Sequence, residues 1–112
     1  MILLPWPCKE LSPNTRCHWA VKAKAVKSYR SAAGWATKAS GYKIHGNGPI
    51  DLHIGFYPPD NRARDLDGML SSIKAGLDGI ADALDVNDKR FTLWIERCAK
   101  IKGGEVRIII SG

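Results

Sequence analysis

Apolar residues recur at two different periods along this chain, and the period switches where Gly, Pro and Asn cluster. Ile50, Leu52, Ile54 and Phe56 alternate with Asp51, His53, Gly55 and Tyr57, which is the period of a strand with one buried face. In that setting His53 reads as a sheet residue rather than a ligand. Phe91, Leu93 and Ile95 alternate in the same way with Thr92, Trp94 and Glu96, and Val106 to Ile110 is an apolar run of strand length. Lys102-Gly103-Gly104 between them has hairpin chemistry, so these last two strands are expected to pair antiparallel. The opening Ile2-Leu3-Leu4-Pro5-Trp6 is a short strand confined to an edge, because Pro5 and Pro7 cannot donate to a ladder.

The helical period appears twice. From about His18 to Lys38 there is no Pro, Ala is abundant, and Trp19, Val26, Tyr29 and Ala33 recur at helical spacing. A second helix is expected from about Asp67 to Leu84, carried by Leu70, Ile73, Leu77, Ile80 and Leu84, with Asp65 or Asp67 capping its first amides. Gly76 and Gly79 each cost about 1 kcal/mol inside a helix, a cost that close approach of another backbone would explain. The expected order is strand, helix, strand, helix, strand, strand: a mixed α/β (α+β) fold, with a mixed sheet packed against helices. No repeat or linker divides residues 1–112, so one domain is expected.

Composition adds little until charge is considered. The chain is 45% hydrophobic and 25% charged, ordinary for a globular domain, and carries no apolar stretch long enough to span a bilayer. Its amino terminus is too short and proline-rich for a signal-peptide core, so a cytoplasmic protein without a membrane partner is expected. Three cysteines without a Cys-x-x-Cys pair suggest reduced, mostly buried thiols; the Cys8/Cys17/His18/Cys98 set matches no metal-ligand spacing. The formal charge is +6, and no acid occurs between Glu10 and Asp51. Lys22, Lys24, Lys27 and Arg30 ring the first helix, with Lys38 near its end and Arg16 just before it, so a polyanion is the expected partner. The tryptophans, with Tyr42 and Tyr57, read as core rather than as stacking platforms.

The acids concentrate later. Arg62-Ala63-Arg64-Asp65-Leu66-Asp67 falls where a strand gives way to a helix. Two carboxylates two residues apart share a side if that segment is extended, and their oxygens suit a hard cation such as Mg²⁺, with Arg62 and Arg64 holding a phosphate nearby. Asp88, beside Lys89 and Arg90, is the natural third acid. On an unbroken helix Asp78 would stand about 16 Å from Asp67 and Asp85 about 27 Å, so Asp88 joins the pair only if the chain doubles back or a partner subunit supplies it. Lys74, two turns after Asp67, is placed to neutralise charge on a scissile phosphate.

These residues resemble the RusA family of Holliday junction resolvases. The matching features are Leu4-Pro5-Trp6-Pro7, Ser12-Pro13-Asn14, Arg64-Asp65-Leu66-Asp67, Lys74-Ala75 with Asp78, Asn87-Asp88 and Lys102-Gly103-Gly104. Three positions depart from the family pattern, one being Asn87-Asp88 in place of the common Asp-Asp. Gly68 follows Asp67 where Asn is usual, and Lys74 comes seven residues after Asp67 where some members have Lys at four, here Ser71. The resemblance implies a homodimeric, Mg²⁺-dependent endodeoxyribonuclease, with Mn²⁺ as a possible substitute. It would resolve four-way DNA by paired symmetrical nicks, in recombination and repair. Asp65, Asp67 and Asp88 would be the metal-binding carboxylates and Lys74 the catalytic lysine. The DNA-binding set is then Asn14, Arg16, Lys22, Lys24, Lys27, Arg30, Arg62, Arg64 and Lys89. The alternative is a non-catalytic junction-binding or DNA-binding accessory protein of phage origin.

Overall fold

The computed structural model describes residues 1–111. Strands β1 (Ile2–Pro5), β2 (Ile50–Tyr57), β3 (Phe91–Arg97) and β4 (Glu105–Ser111) form one sheet, joined by helices α1 (Trp19–Ser40), α2 (Leu66–Ser72) and α3 (Lys74–Leu84). Single 3₁₀ turns at Lys9–Leu11 and Asp88–Arg90 complete the chain. The mixed α+β class expected from the patterning is the one observed. No helix among the described residues is long and apolar enough to cross a membrane.

The strand order is β1-β4-β2-β3, and it corrects the expected hairpin. β3 and β4 do not pair; β2 lies between them, parallel to β3 and antiparallel to β4. Two physical preferences produce this order. The α2–α3 connection makes β2 and β3 a crossover unit, whose natural product is a parallel pair. β4 buries Val106, Ile108 and Ile110 and takes a central place, whereas β3, with Thr92, Glu96 and Arg97, is left at an edge. Gly103 and Gly104, both at positive φ (80° and 67°), turn the chain toward the far side of β2. One row of the ladder reads Ile2, Ile108, Ile54, Ile95 across all four strands.

That row faces the helices. α1 and α3 meet so closely that Gly76 lies under the Tyr29 ring and Gly79 against the Arg30 carbonyl, as the cost of two helical glycines suggested. The Tyr29 hydroxyl, itself buried, donates to the Pro5 carbonyl at 2.8 Å and ties α1 to the edge strand. Burial pushes that phenol well above its ordinary pKa. α1 begins where His18 Nδ1 accepts the Ala20 amide and ends at Gly41 in the left-handed region.

The second predicted helix is in fact two. Ile73, fully buried at φ −104°, closes α2 by donating to the Leu70 carbonyl, a three-residue turn, and α3 starts at the next residue. On the opposite face of the sheet, which carries no helix among the described residues, His53 stacks on Trp94 at 6.0 Å. Trp19, Trp35 and Trp94 are 76%, 70% and 55% exposed, which overturns their reading as core residues. Cys8 and Cys17 are exposed too, and Cys98 is half-buried, so the expectation of mostly buried thiols fails as well.

Candidate functional site

The segment from Pro58 to Asp67 leaves the end of β2 and turns into α2, so its side chains stand on a rigid corner. Two of the clefts beside α2 hold predicted acids, Asp65 and Asp88. The first, about 460 Å³, is lined by Trp6, Lys9, Asn14, Asp60, Arg62, Arg64, Asp65 and Gly68, among others. Asp60 organises it. Its carboxylate accepts the Arg62 amide at 3.0 Å and pairs with Arg64 at 2.8 Å and Arg62 at 3.3 Å. The Arg64 hydrogen bond, aided by the Arg62 amide, depresses the Asp60 pKa to about 2. Arg64 also lies over the Trp6 ring at 5.4 Å, which holds its guanidinium at the cleft wall. Arg62 projects into solvent.

Asp65 caps α2: its Oδ1 accepts the Gly68 amide at 2.7 Å. A Cβ at position 68 would press on that same oxygen, so Gly68 fits the capped corner. Asp67, exposed in the first turn of α2, has no hydrogen-bond or ion-pair partner among the described residues.

The second cleft, about 310 Å³, is lined by Leu70, Ser71, Lys74, Leu77, Asp78, Asp88, Phe91 and Leu93. It brings Asp88 together with Lys74, but neither Asp65 nor Asp67 lines it. After α3, Asp85 adopts φ 55° and reverses the chain, so Asp88 returns to the wall that holds Lys74. Ser71 and Lys74 both line this cleft. Asp67 stands one turn before Leu70 and Ser71 on α2.

The three predicted carboxylates are therefore not gathered in one cleft. Asp65 lines the first and Asp88 the second, and among the described residues no three His, Cys, Asp or Glu side chains form a metal-holding group. Mg²⁺ needs only one or two protein carboxylates beside water and phosphate, and the oxygen donors of Asp65 and Asp67 match that chemistry. The sequence pattern does not single out Asp60, whose pairing with Arg62 and Arg64 depends on the tertiary structure.

The remaining basic residues separate by partner. Lys24, Lys27 and Lys89 are exposed, as are Asn14 and Arg16, whereas Lys22 is half-buried toward α3. Arg30 forks onto Asp82 at 2.6 and 2.9 Å, which lowers the Asp82 pKa and raises that of Arg30.

No protein-family profile matches the chain. It is 46% identical over 97 residues to an uncharacterized protein of Xylella fastidiosa (strain Temecula1 / ATCC 700964), a match covering 80% of this chain and 61% of that protein. The chain thus spans about three-fifths of its relative's length.

Proposed function

We propose that the chain is a metal-dependent endodeoxyribonuclease acting on branched DNA, with the four-way junction as its substrate. The observation that carries this reading is that Lys74, at the start of α3, and Asp88, in the turn beyond it, line one cleft together with Leu70 and Ser71 of the helix that Asp65 caps. Carboxylates and a lysine at the border of an arginine-rich cleft suit phosphodiester hydrolysis, since a module that only bound DNA would gain nothing from unmetallated acids beside phosphate. The resemblance to the RusA family points the same way.

Asp65 and Asp67 would hold Mg²⁺, with Asp88 approaching from the second cleft. When bound, the ion supplies an activated water and stabilises the leaving oxygen. The chain's own groups do the rest. Arg62 and Arg64, with Lys9 and Asn14 across the first cleft, seat the backbone phosphates without reading sequence, as suits an enzyme that recognises shape. Lys74 neutralises charge that builds on the scissile phosphate.

The reading includes a homodimer joined through β3. That edge has no Pro, and Leu93 and Trp94 are exposed on it, whereas Pro5 blunts the other edge at β1. The Cys98 amide bonds back to Phe56 on β2, so by alternation Phe91, Leu93 and Ile95 point their amides and carbonyls outward. An antiparallel two-fold about Leu93 sets Phe91 against the partner's Ile95 and Arg90 against the partner's Glu96. It also places the two Lys74–Asp88 clefts on either side of one axis.

The test is incubation of the purified protein with Mg²⁺ or Mn²⁺ and an end-labelled synthetic four-way junction. Paired nicks are expected. A protein that binds the junction yet cuts it with neither ion is the accessory DNA-binding protein instead.

A further inference from the structure

The exposed side of α1 carries a feature that neither the nuclease site nor the core uses. Lys24, Lys27, Ser31, Trp35 and Lys38 recur at three- and four-residue steps and are all exposed, so they form one line about 21 Å long at the rise of an α-helix. Trp35 stands in the middle of the cations. Its ring is 70% exposed, and the Lys38 ammonium lies 5.4 Å from the ring centroid. Leaving an indole this bare in water forgoes burial that would stabilise the fold, and no helix or strand among the described residues covers it.

Beside the ring runs a groove of about 350 Å³ between α1 and α3. Its floor is open because the helices meet there through Gly34 and Gly79; a Cβ on Gly34 would reach the Gly79 carbonyl at 3.5 Å. Asp82 is the acid in this groove, and its charge is taken up by the two-pronged bond from Arg30 at 2.6 and 2.9 Å. The line therefore offers an aromatic face between the Lys27 ammonium and that of Lys38, which lies over the ring, with the nearby Asp82 carboxylate paired to Arg30.

We infer that this face binds an unpaired stretch of DNA, with one base stacked on Trp35 and flanking phosphates on Lys24, Lys27 and Lys38. A stacked base has no sequence requirement because every base presents a π-face, and ammonium groups at helical spacing follow the backbone. An arriving base takes the ring face, leaving Lys38 to meet its phosphate. Duplex DNA cannot use the ring, since its bases are already stacked on each other. The surface thus favours the opened or frayed strands of a branched substrate. The inference rests on the reading of the chain as a DNA-binding protein, but not on its being a nuclease.

The experiment uses the full chain with oligo(dT), a duplex of equal length, and poly-glutamate as a competitor, in a metal-free buffer so that cleavage plays no part. Oligo(dT) is expected to bind more tightly than the duplex and to quench tryptophan fluorescence. Trp35→Leu should weaken oligo(dT) binding roughly tenfold with little change in duplex binding, while Trp35→Phe, which keeps a ring, should stay within about threefold. Trp19→Leu is the matched control, since Trp19 lies about 160° away around α1 at 100° per residue. Lys24→Ala/Lys27→Ala should instead flatten the salt dependence, by roughly 0.7 in log–log slope for each phosphate no longer neutralised. Because Trp35 is exposed, Trp35→Leu should keep the wild-type circular dichroism. Equal affinity of Trp35→Leu and wild type for oligo(dT), or full displacement by poly-glutamate at matched charge, overturns the inference. Loss of junction cleavage in Asp67→Asn with Trp35-dependent binding retained leaves it standing.

Discussion

Gly79 on α3 lies against the backbone carbonyl of Arg30 on α1, so close that no side chain can occupy position 79 without moving a helix. The neighbour that a side chain would strike is backbone, which cannot rotate away as a flexible side chain does. Gly79→Ala is therefore expected to destabilise the fold by about 1–3 kcal/mol despite the better helix propensity of Ala. Gly34→Ala, whose Cβ would meet only the Gly79 carbonyl at 3.5 Å, should be neutral or stabilising by up to about 1 kcal/mol. Urea midpoints at unchanged slope measure both, and a Gly79→Ala protein as stable as wild type would refute the packing argument.

Tyr29 and Pro5 provide a second check on the same interface. Removing the hydroxyl in Tyr29→Phe leaves the Pro5 carbonyl without its 2.8 Å donor and should cost about 1 kcal/mol. Thermal unfolding of the variant should show the loss at neutral pH. No difference from wild type would mean that water replaces the phenol.

At the acidic corner, capping and metal binding can be separated. Asp65→Asn keeps an oxygen for the Gly68 amide and should unfold like wild type, while Asp65→Ala should lose about 1 kcal/mol. Both should abolish Mg²⁺-dependent cleavage. Asp67→Asn should abolish it as well, with junction binding intact or tighter. An Asp65→Asn protein that still cuts would reduce Asp65 to a helix cap.

Asp60 gives a pH dependence with a definite sign. Its folded pKa is depressed to about 2, with the Arg64 hydrogen bond as the main cause, so its contribution is present above the ordinary carboxylate value near 4 and is lost as the pH falls toward 2. The stability difference between wild type and Asp60→Asn should be full at pH 6 and shrink steadily below about pH 4. A difference that stays constant down to about pH 2.5 would contradict the pairing with Arg62 and Arg64.

The β3 edge makes the oligomeric state testable. Leu93→Lys places two like charges at the centre of the proposed two-fold and should yield a monomer at concentrations where wild type sediments as a dimer. A Leu93→Lys dimer would move the interface elsewhere.

What the chain's own pattern determined was local. The alternation from Ile50 to Phe56 marked β2, the helical recurrence of Tyr29 and Ala33 marked α1, and two costly glycines foretold a close helix approach. These follow from short-range sterics and from which face each residue buries. Strand partners were not legible: hairpin-like glycines at 103 and 104 looked the same whether β4 paired with β3 or passed beyond β2. The crossover and the apolar content of β4 decided that. The break at Ile73 was hidden too, since an apolar residue at helical spacing reads alike in a continuous helix and at a junction. The site divided in the same way. Asp65, Asp67, Lys74 and Asp88 stand out as candidates by type and spacing, but that Asp65 lines one cleft while Lys74 and Asp88 line another depends on the chain reversal at Asp85. The neutralisation of Asp60 and Asp82 by arginines, and the exposure of Trp35, belong to the tertiary structure as well, because charge pairing and solvent exposure depend on which distant segments meet.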